Sequence, residues 1–167
     1  MHLIIDGYNL LHVSRSMISL ASVQLQRERD GIIDRLSTYQ KLKRCGITVV
    51  FDGWEAGWNT ETREKRKGIE VIFSRLGEKA DEVIKRLVKE KGSGVIVITS
   101  DRDVAKFSER AGAAVISSEQ FQEKLEGGPS VKFEGGFEEE EKRIRKKGPS
   151  RTLSKKEKRT RAATRKL

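Results

Sequence analysis

Cysteine and histidine are nearly absent. The 167 residues contain one cysteine, Cys45, and two histidines, His2 and His12. A lone cysteine closes no internal disulfide, which fits a reducing compartment. So few thiol and imidazole ligands also argue against a zinc site. Neither histidine has a sequence argument for pairing with Cys45, so a thiol nucleophile has no support. No apolar run is long enough to span a membrane. The first residues lead straight into a strand-like run, with no basic leader and no cleavage-like site. That predicts a chain without a signal peptide, in the cytoplasm and off the membrane. No internal repeat is present.

Positive charge is plentiful but unevenly spread. The formal net charge is +10 and the pI about 9.8. Residues 1–126 hold 21 Lys+Arg against 19 Asp+Glu, whereas residues 127–167 hold 14 against 6. A nearly neutral domain over 1–126 is therefore followed by a basic tail over 127–167, and nucleic acid is the first candidate partner. The tail opens with Gly127-Gly128-Pro129 and has too few apolar residues for a core. It reads as disordered or partly helical.

Strand and helix signals alternate along the domain. Apolar, β-rich runs at Leu3–Asp6, Ile47–Phe51, Ile69–Ser74, Val95–Thr99 and Ala113–Ile116 read as five strands. Between them, Ser22–Lys43, Lys79–Lys91, Asp103–Arg110 and Ser118–Leu125 carry helical spacing, with residues 53–68 as a polar loop. Nearly continuous apolar runs are expected of parallel strands covered on both faces. The alternation predicts an α/β fold with a mostly parallel, doubly wound sheet of about five strands.

Acids stand just beyond these runs. Asp6 follows the first, Asp52 the second and Asp101 the fourth, with Asp103 two residues on; Asp81 opens the helix after the third. In doubly wound sheets, ligands bind beyond the carboxyl ends of the strands. Converging carboxylates repel one another and imply a bound cation, Mg²⁺ or Mn²⁺, and such sites suit phosphodiester chemistry. Asp6, Asp52, Asp81 and Asp101 form the first metal set, with Asp103 behind them. Each also has a plainer reading. Asp81 and Asp101 suit helix N-caps, and Asp52-Gly53 suits a turn. Asp6 has no evident capping duty. Asn9 suits a phosphate, a sugar hydroxyl, a carboxylate oxygen or a turn cap, and Thr99 and Ser100 suit hydrogen bonds to the acids.

Taken in order, Asp6-Gly7-Tyr8-Asn9, Phe51-Asp52-Gly53, Ile69–Phe73, Lys79–Glu82 and Val97–Asp101 resemble the NYN domain of the PIN-like nuclease superfamily, in its YacP-like branch. The resemblance covers about residues 2–126 and implies a three-layer PIN-like fold. That branch includes a bacterial endoribonuclease that cleaves mRNA on the ribosome. The resemblance therefore also implies metal-dependent RNA cleavage, with RNA and the ribosome as partners. Asp6, Asp52, Asp81 and Asp101 match the family's acidic positions, and Asn9 its first motif. The loop over 53–68 follows no recognised pattern of the family, and the resemblance is not carried over to the tail.

The loop holds Trp54, Trp58, Arg63, Lys65, Arg66 and Lys67, and the tail holds Lys155, Lys156, Lys158 and Arg159. Aromatics stack unpaired bases and basic clusters track phosphates, so both segments are candidate RNA contacts. The plainer readings are a tryptophan packed on the domain and solvated charges. A non-catalytic RNA-binding protein is the main rival. An aspartyl-nucleophile phosphatase needs a second acid where Tyr8 stands, and a receiver-like domain would not explain the basic segments.

Overall fold

Apolar runs covered on both faces pair most readily as parallel strands, and five do so here. The computed structural model describes residues 1–14, 22–53, 59–127 and 155–167. β1 (His2–Asp6) lies between β2 (Gly46–Phe51) and β5 (Val95–Ile98). β4 (Ile69–Phe73) extends the sheet beyond β2, and β6 (Ala114–Ile116) extends it beyond β5. The chain first builds outward from β1 through β2, then returns to the other side of β1 with β5. The switch point of the strand order therefore lies between β1 and β5.

A sixth strand stands where the sequence suggested only loop. β3 (Thr62–Arg66) runs antiparallel to β4 at the sheet edge. Its residues alternate between half-buried and exposed, and its charges suit an edge that must not recruit another strand. Lys67 and Gly68 join β3 to β4 with φ of 50° and 91°. Positive φ at both positions is what a two-residue hairpin with matching twist requires.

Strand alternation divides the core into two. Leu3, Ile5, Val49, Phe51 and Ile98 face α1 (Gly7–Ser14), α2 (Ser22–Lys43) and α5 (Ser118–Leu125). Ile4, Val50, Ile72 and Val97 face α3 (Ala80–Lys91) and α4 (Arg102–Arg110). The result is three layers. Two residues beyond Ile4 and Val50, the same parity carries Asp6 and Asp52 towards the α3 and α4 face.

Part of the basic tail is built onto this frame. α6 (Lys155–Lys166) packs against β6, and Ala163 and Leu167 join the core beside α2. The Tyr39 hydroxyl donates to the Leu167 carbonyl at 2.9 Å. Two apolar residues and one hydrogen bond seat a helix in which eight of the twelve residues are charged. Among the described residues no helix is long and apolar enough to cross a membrane.

Candidate active site at the carboxyl edge of the sheet

Asp6 ends the central strand and is 3% exposed. Its Oδ1 accepts from the Asn9 backbone N–H at 3.1 Å, so it caps the first turn of α1, contrary to the expectation that it has no such duty. α1 had no signal strong enough to read, and that helix is what supplies the duty. Asp6 Oδ2 accepts from the Asn9 side-chain amide and from the Thr99 hydroxyl. Burial raises the Asp6 carboxyl above its ordinary range; Asn9 opposes this, the Asp81 charge adds to it and Thr99 opposes it. Asn9 thus holds Asp6 rather than reaching outward. Thr99 in turn accepts from the Asp101 N–H at 3.1 Å, and its own bond to Asp6 ties the end of β5 to β1 across the switch point. Ser100 turns away and donates to Glu119 at 2.8 Å.

Two further acids also cap helices. Asp101 Oδ1 accepts from the backbone of Asp103 at 2.8 Å and of Val104 at 2.9 Å, at the start of α4. Asp52 caps from a distance. Lys79 at the head of α3 has no side-chain cap, and Asp52 Oδ1 accepts from the Ala80 N–H instead. Three helix amino ends, each with its partial positive charge, therefore meet at one edge. Asp52 and Asp101 each commit one oxygen to a cap, and their second oxygens accept no hydrogen bond among the described residues.

Asp81 joins the group electrostatically. It lies half-buried in the first turn of α3 and accepts no hydrogen bond among the described residues. Burial raises its carboxyl most. The Asp101 charge raises it next and Asp52 adds to that, against Lys85 and Lys79. Asp81 thus acts on Asp6 and is itself acted on by Asp101 and Asp52. Asp103 is exposed on α4, and its charge acts on Lys85. Among the described residues no three acidic, histidine or cysteine side chains stand close enough to surround one ion.

The glycines after Asp6 and Asp52 are required by close packing. A Cβ on Gly7 would meet the Phe51 ring at 2.3 Å, and one on Gly53 would meet the Ser74 carbonyl oxygen at 1.9 Å. Gly53→Ala is expected to lower stability by about 1–3 kcal/mol, as overpacking against backbone does. Thermal melts check this, and an unchanged melting temperature would mean that the strand end yields freely.

The other face of the same edge holds a cluster that the sequence reading missed. Arg29 on α2 is 8% exposed, and its guanidinium lies 5.3 Å from the Tyr8 ring centroid, 5.7 Å from Phe51 and 5.8 Å from Phe73. It donates to the Tyr8 hydroxyl. A cation over several rings is a favourable buried arrangement. Its signal was present: Arg29 falls on the apolar stripe of α2, between Leu25 and Ile32.

The candidate RNA contacts fall into three groups. Trp54 and Trp58 lie outside the described residues. Arg63, Lys65, Arg66 and Lys67 lie on the β3 hairpin, and three of them are already paired. Arg63 pairs with Glu61 at 2.7 Å, Arg66 with Asp30 at 2.9 Å, and Lys67 with Asp34. Lys155, Lys158 and Arg159 are exposed on α6, and the side chain of Lys156 is outside the described set.

A three-layer sheet with acids gathered at its switch point defines a PIN-like domain, the fold of a nuclease superfamily. A model of the YacP-like NYN domain matches residues 3–166, and the chain belongs to that family. The match runs on through α6, beyond the motifs that carry the resemblance. The uncharacterised protein YacP of Bacillus subtilis is 30% identical over 87 residues. That alignment spans 52% of this chain and only about half, 51%, of the relative. Two crystal structures of Rae1 (YacP) from Bacillus subtilis are similar. A point mutant gives 26% identity and a TM-score of 0.63 over 75% of each chain. The other gives 27% and 0.60 over 76% of this chain and 74% of that one.

Proposed function

We propose that the protein is a divalent-metal-dependent endoribonuclease acting on single-stranded or ribosome-associated RNA. The observation that supports this most is the repulsion focused on Asp81, which Asp52 and Asp101 both push towards its neutral form. Acids held together against such repulsion fit a hard cation. Mg²⁺ needs only one or two carboxylates, its remaining positions going to water and substrate oxygens. The absence of a closed three-acid cage among the described residues is therefore compatible with it. Asp81 and the uncommitted oxygens of Asp52 and Asp101 are the residues that would hold Mg²⁺ or Mn²⁺. Such an ion supplies charge neutralisation at the phosphoryl group.

The rest of the work falls to the chain itself. Asp6, fixed by Asn9 and Thr99, keeps a carboxyl group at the end of the central strand. The amino ends of α1, α3 and α4 fix the carboxylates of Asp6, Asp52 and Asp101 at the same edge through their caps. Lys79 and Lys85 temper the acid charge at Asp81. Attack by water on phosphorus, with departure of the 3′ oxygen, leaves 5′-phosphate and 3′-hydroxyl ends.

A labelled single-stranded RNA incubated with the protein and Mn²⁺, with and without ribosomes, tests this. Internal cleavage with Mn²⁺ and none in EDTA is the expected outcome. The rival is an RNA-binding protein that keeps the fold without catalysis. RNA left intact with Mn²⁺ and with Mg²⁺, ribosomes present or absent, would establish that rival.

A further inference from the structure

On the β3 hairpin and on α3, cations pair with neighbouring acids. Arg66 pairs with Asp30 at 2.9 Å, Arg86 with Glu78 at 2.8 Å and Lys85 with Glu82 at 2.8 Å. α6 differs. Its sequence KKEKRTRAATRK carries seven cations and one acid. Lys158, Arg161, Arg165 and Lys166 are exposed and make no ion pair among the described residues. Lys158, Arg161 and Arg165, spaced three and four apart, share one side of the helix. They form a stripe of about 10 Å at 1.5 Å per residue.

The helix that carries this stripe is anchored to the core. Leu167 is 5% exposed and Ala163 4% exposed in the core, and Tyr39 holds the Leu167 carbonyl at 2.9 Å. A tail whose only task was to add diffuse charge would need no such anchor. The anchor also sets the location. A Cβ on Gly112 would lie 3.5 Å from Arg159 Nη1 and 3.5 Å from Ser93 Cβ, and these residues precede β6 and β5. Tyr39 stands near the end of α2, just before β2. α6 therefore lies at the amino ends of the parallel strands, and the acids at their carboxyl ends. A five-residue strand such as β1 separates the two by about 16 Å.

We infer that α6 is a docking face for the phosphate backbone of a folded RNA, separate from the strand that enters the acidic cleft. A fixed array of unpaired cations matches a fixed array of phosphates, which duplex RNA offers and a flexible strand does not. The inference rests on reading the protein as one that acts on RNA, but its test involves no cleavage.

The full chain, in EDTA, is titrated onto a labelled RNA hairpin and onto a short unstructured RNA, across a salt series. R161Q/R165Q/K166Q replaces three exposed side chains. Its hairpin affinity is expected to fall at least tenfold. Its log–log salt slope is expected to shrink by about 2 to 3, since each phosphate neutralised contributes about 0.9. Binding to the short strand should change less than twofold. R161K/R165K/K166R should restore hairpin binding, because a backbone is read as charge. An unchanged hairpin affinity would overturn the inference. So would an equal loss on both RNAs, or polyglutamate competing as well as duplex RNA at equal charge. An inactive cleft in the cleavage assay leaves these binding outcomes untouched, so the two readings fail separately.

Discussion

Asp81→Asn is expected to cut RNA cleavage about a hundredfold or more and, at the same time, to raise the melting temperature. The first effect follows from the position of Asp81. It is felt by Asp6, feels Asp52 and Asp101, and has no hydrogen-bond duty among the described residues. Removing a group that acts on charge at the reacting phosphate commonly costs a factor of 10² to 10³, roughly. The second effect follows from repulsion. The Asp81 carboxyl is raised above 3.8, by burial first and then by Asp101. In the window just above 3.8 the folded state holds the proton more tightly than the unfolded chain. Wild-type stability therefore falls as pH rises through that window and stays lowered above it. Asparagine does not ionise, so the variant lacks this fall. Its advantage in melting temperature should be small in acid and full at neutral pH. Added Mn²⁺ should stabilise the wild type and narrow the gap. Melts at several pH values and a cleavage assay read both effects. Cleavage equal to wild type would remove Asp81 from the site.

The frame was legible because burial writes itself into composition. Runs such as Val95–Ile98 have no polar residue to alternate, so they can only be strands covered on both faces. The acids beyond those runs were legible for the same reason, since charge after an apolar run marks a strand end. β3 was not. Its sequence Thr-Arg-Glu-Lys-Arg buries little, and its pairing comes from the Lys67-Gly68 turn and the edge of β4. α1 was hidden too. It has eight residues, and its start depends on Asp6, which the sequence presents as the end of a strand. α6 was unreadable as a packed element because its seat consists of Ala163, Leu167 and the distant Tyr39. Capping by Asp52 was beyond reach for a similar reason. Its partner, the Ala80 N–H, lies 28 residues away, and sequence rules for caps are local. Three of the four acids thus carry structural duties together with any chemistry, so the plain and the chemical readings are compatible.

That double duty makes Asp6 the most informative residue to change twice. Asp6→Asn is expected to lose cleavage about as completely as Asp81→Asn while leaving the melting temperature nearly unchanged. The asparagine oxygen can still accept from the Asn9 backbone N–H, so the cap on α1 survives. The new amide can face the Asn9 side chain once that amide turns to present its oxygen. Nor does loss of the charge weaken the fold, because burial already drives the Asp6 carboxyl towards its neutral form. Asp6→Ala should differ. It strips the cap, worth about 1 kcal/mol. It also leaves buried donors on Asn9 and Thr99 without an acceptor, at about 1–3 kcal/mol. Alanine should therefore lose cleavage and also about 2–4 kcal/mol of stability, read by denaturant titration. The pair separates the two roles. If asparagine preserves both fold and cleavage while alanine loses both, Asp6 is a helix cap and nothing more. If asparagine preserves the fold alone, the carboxylate charge itself is needed at the centre of the sheet edge.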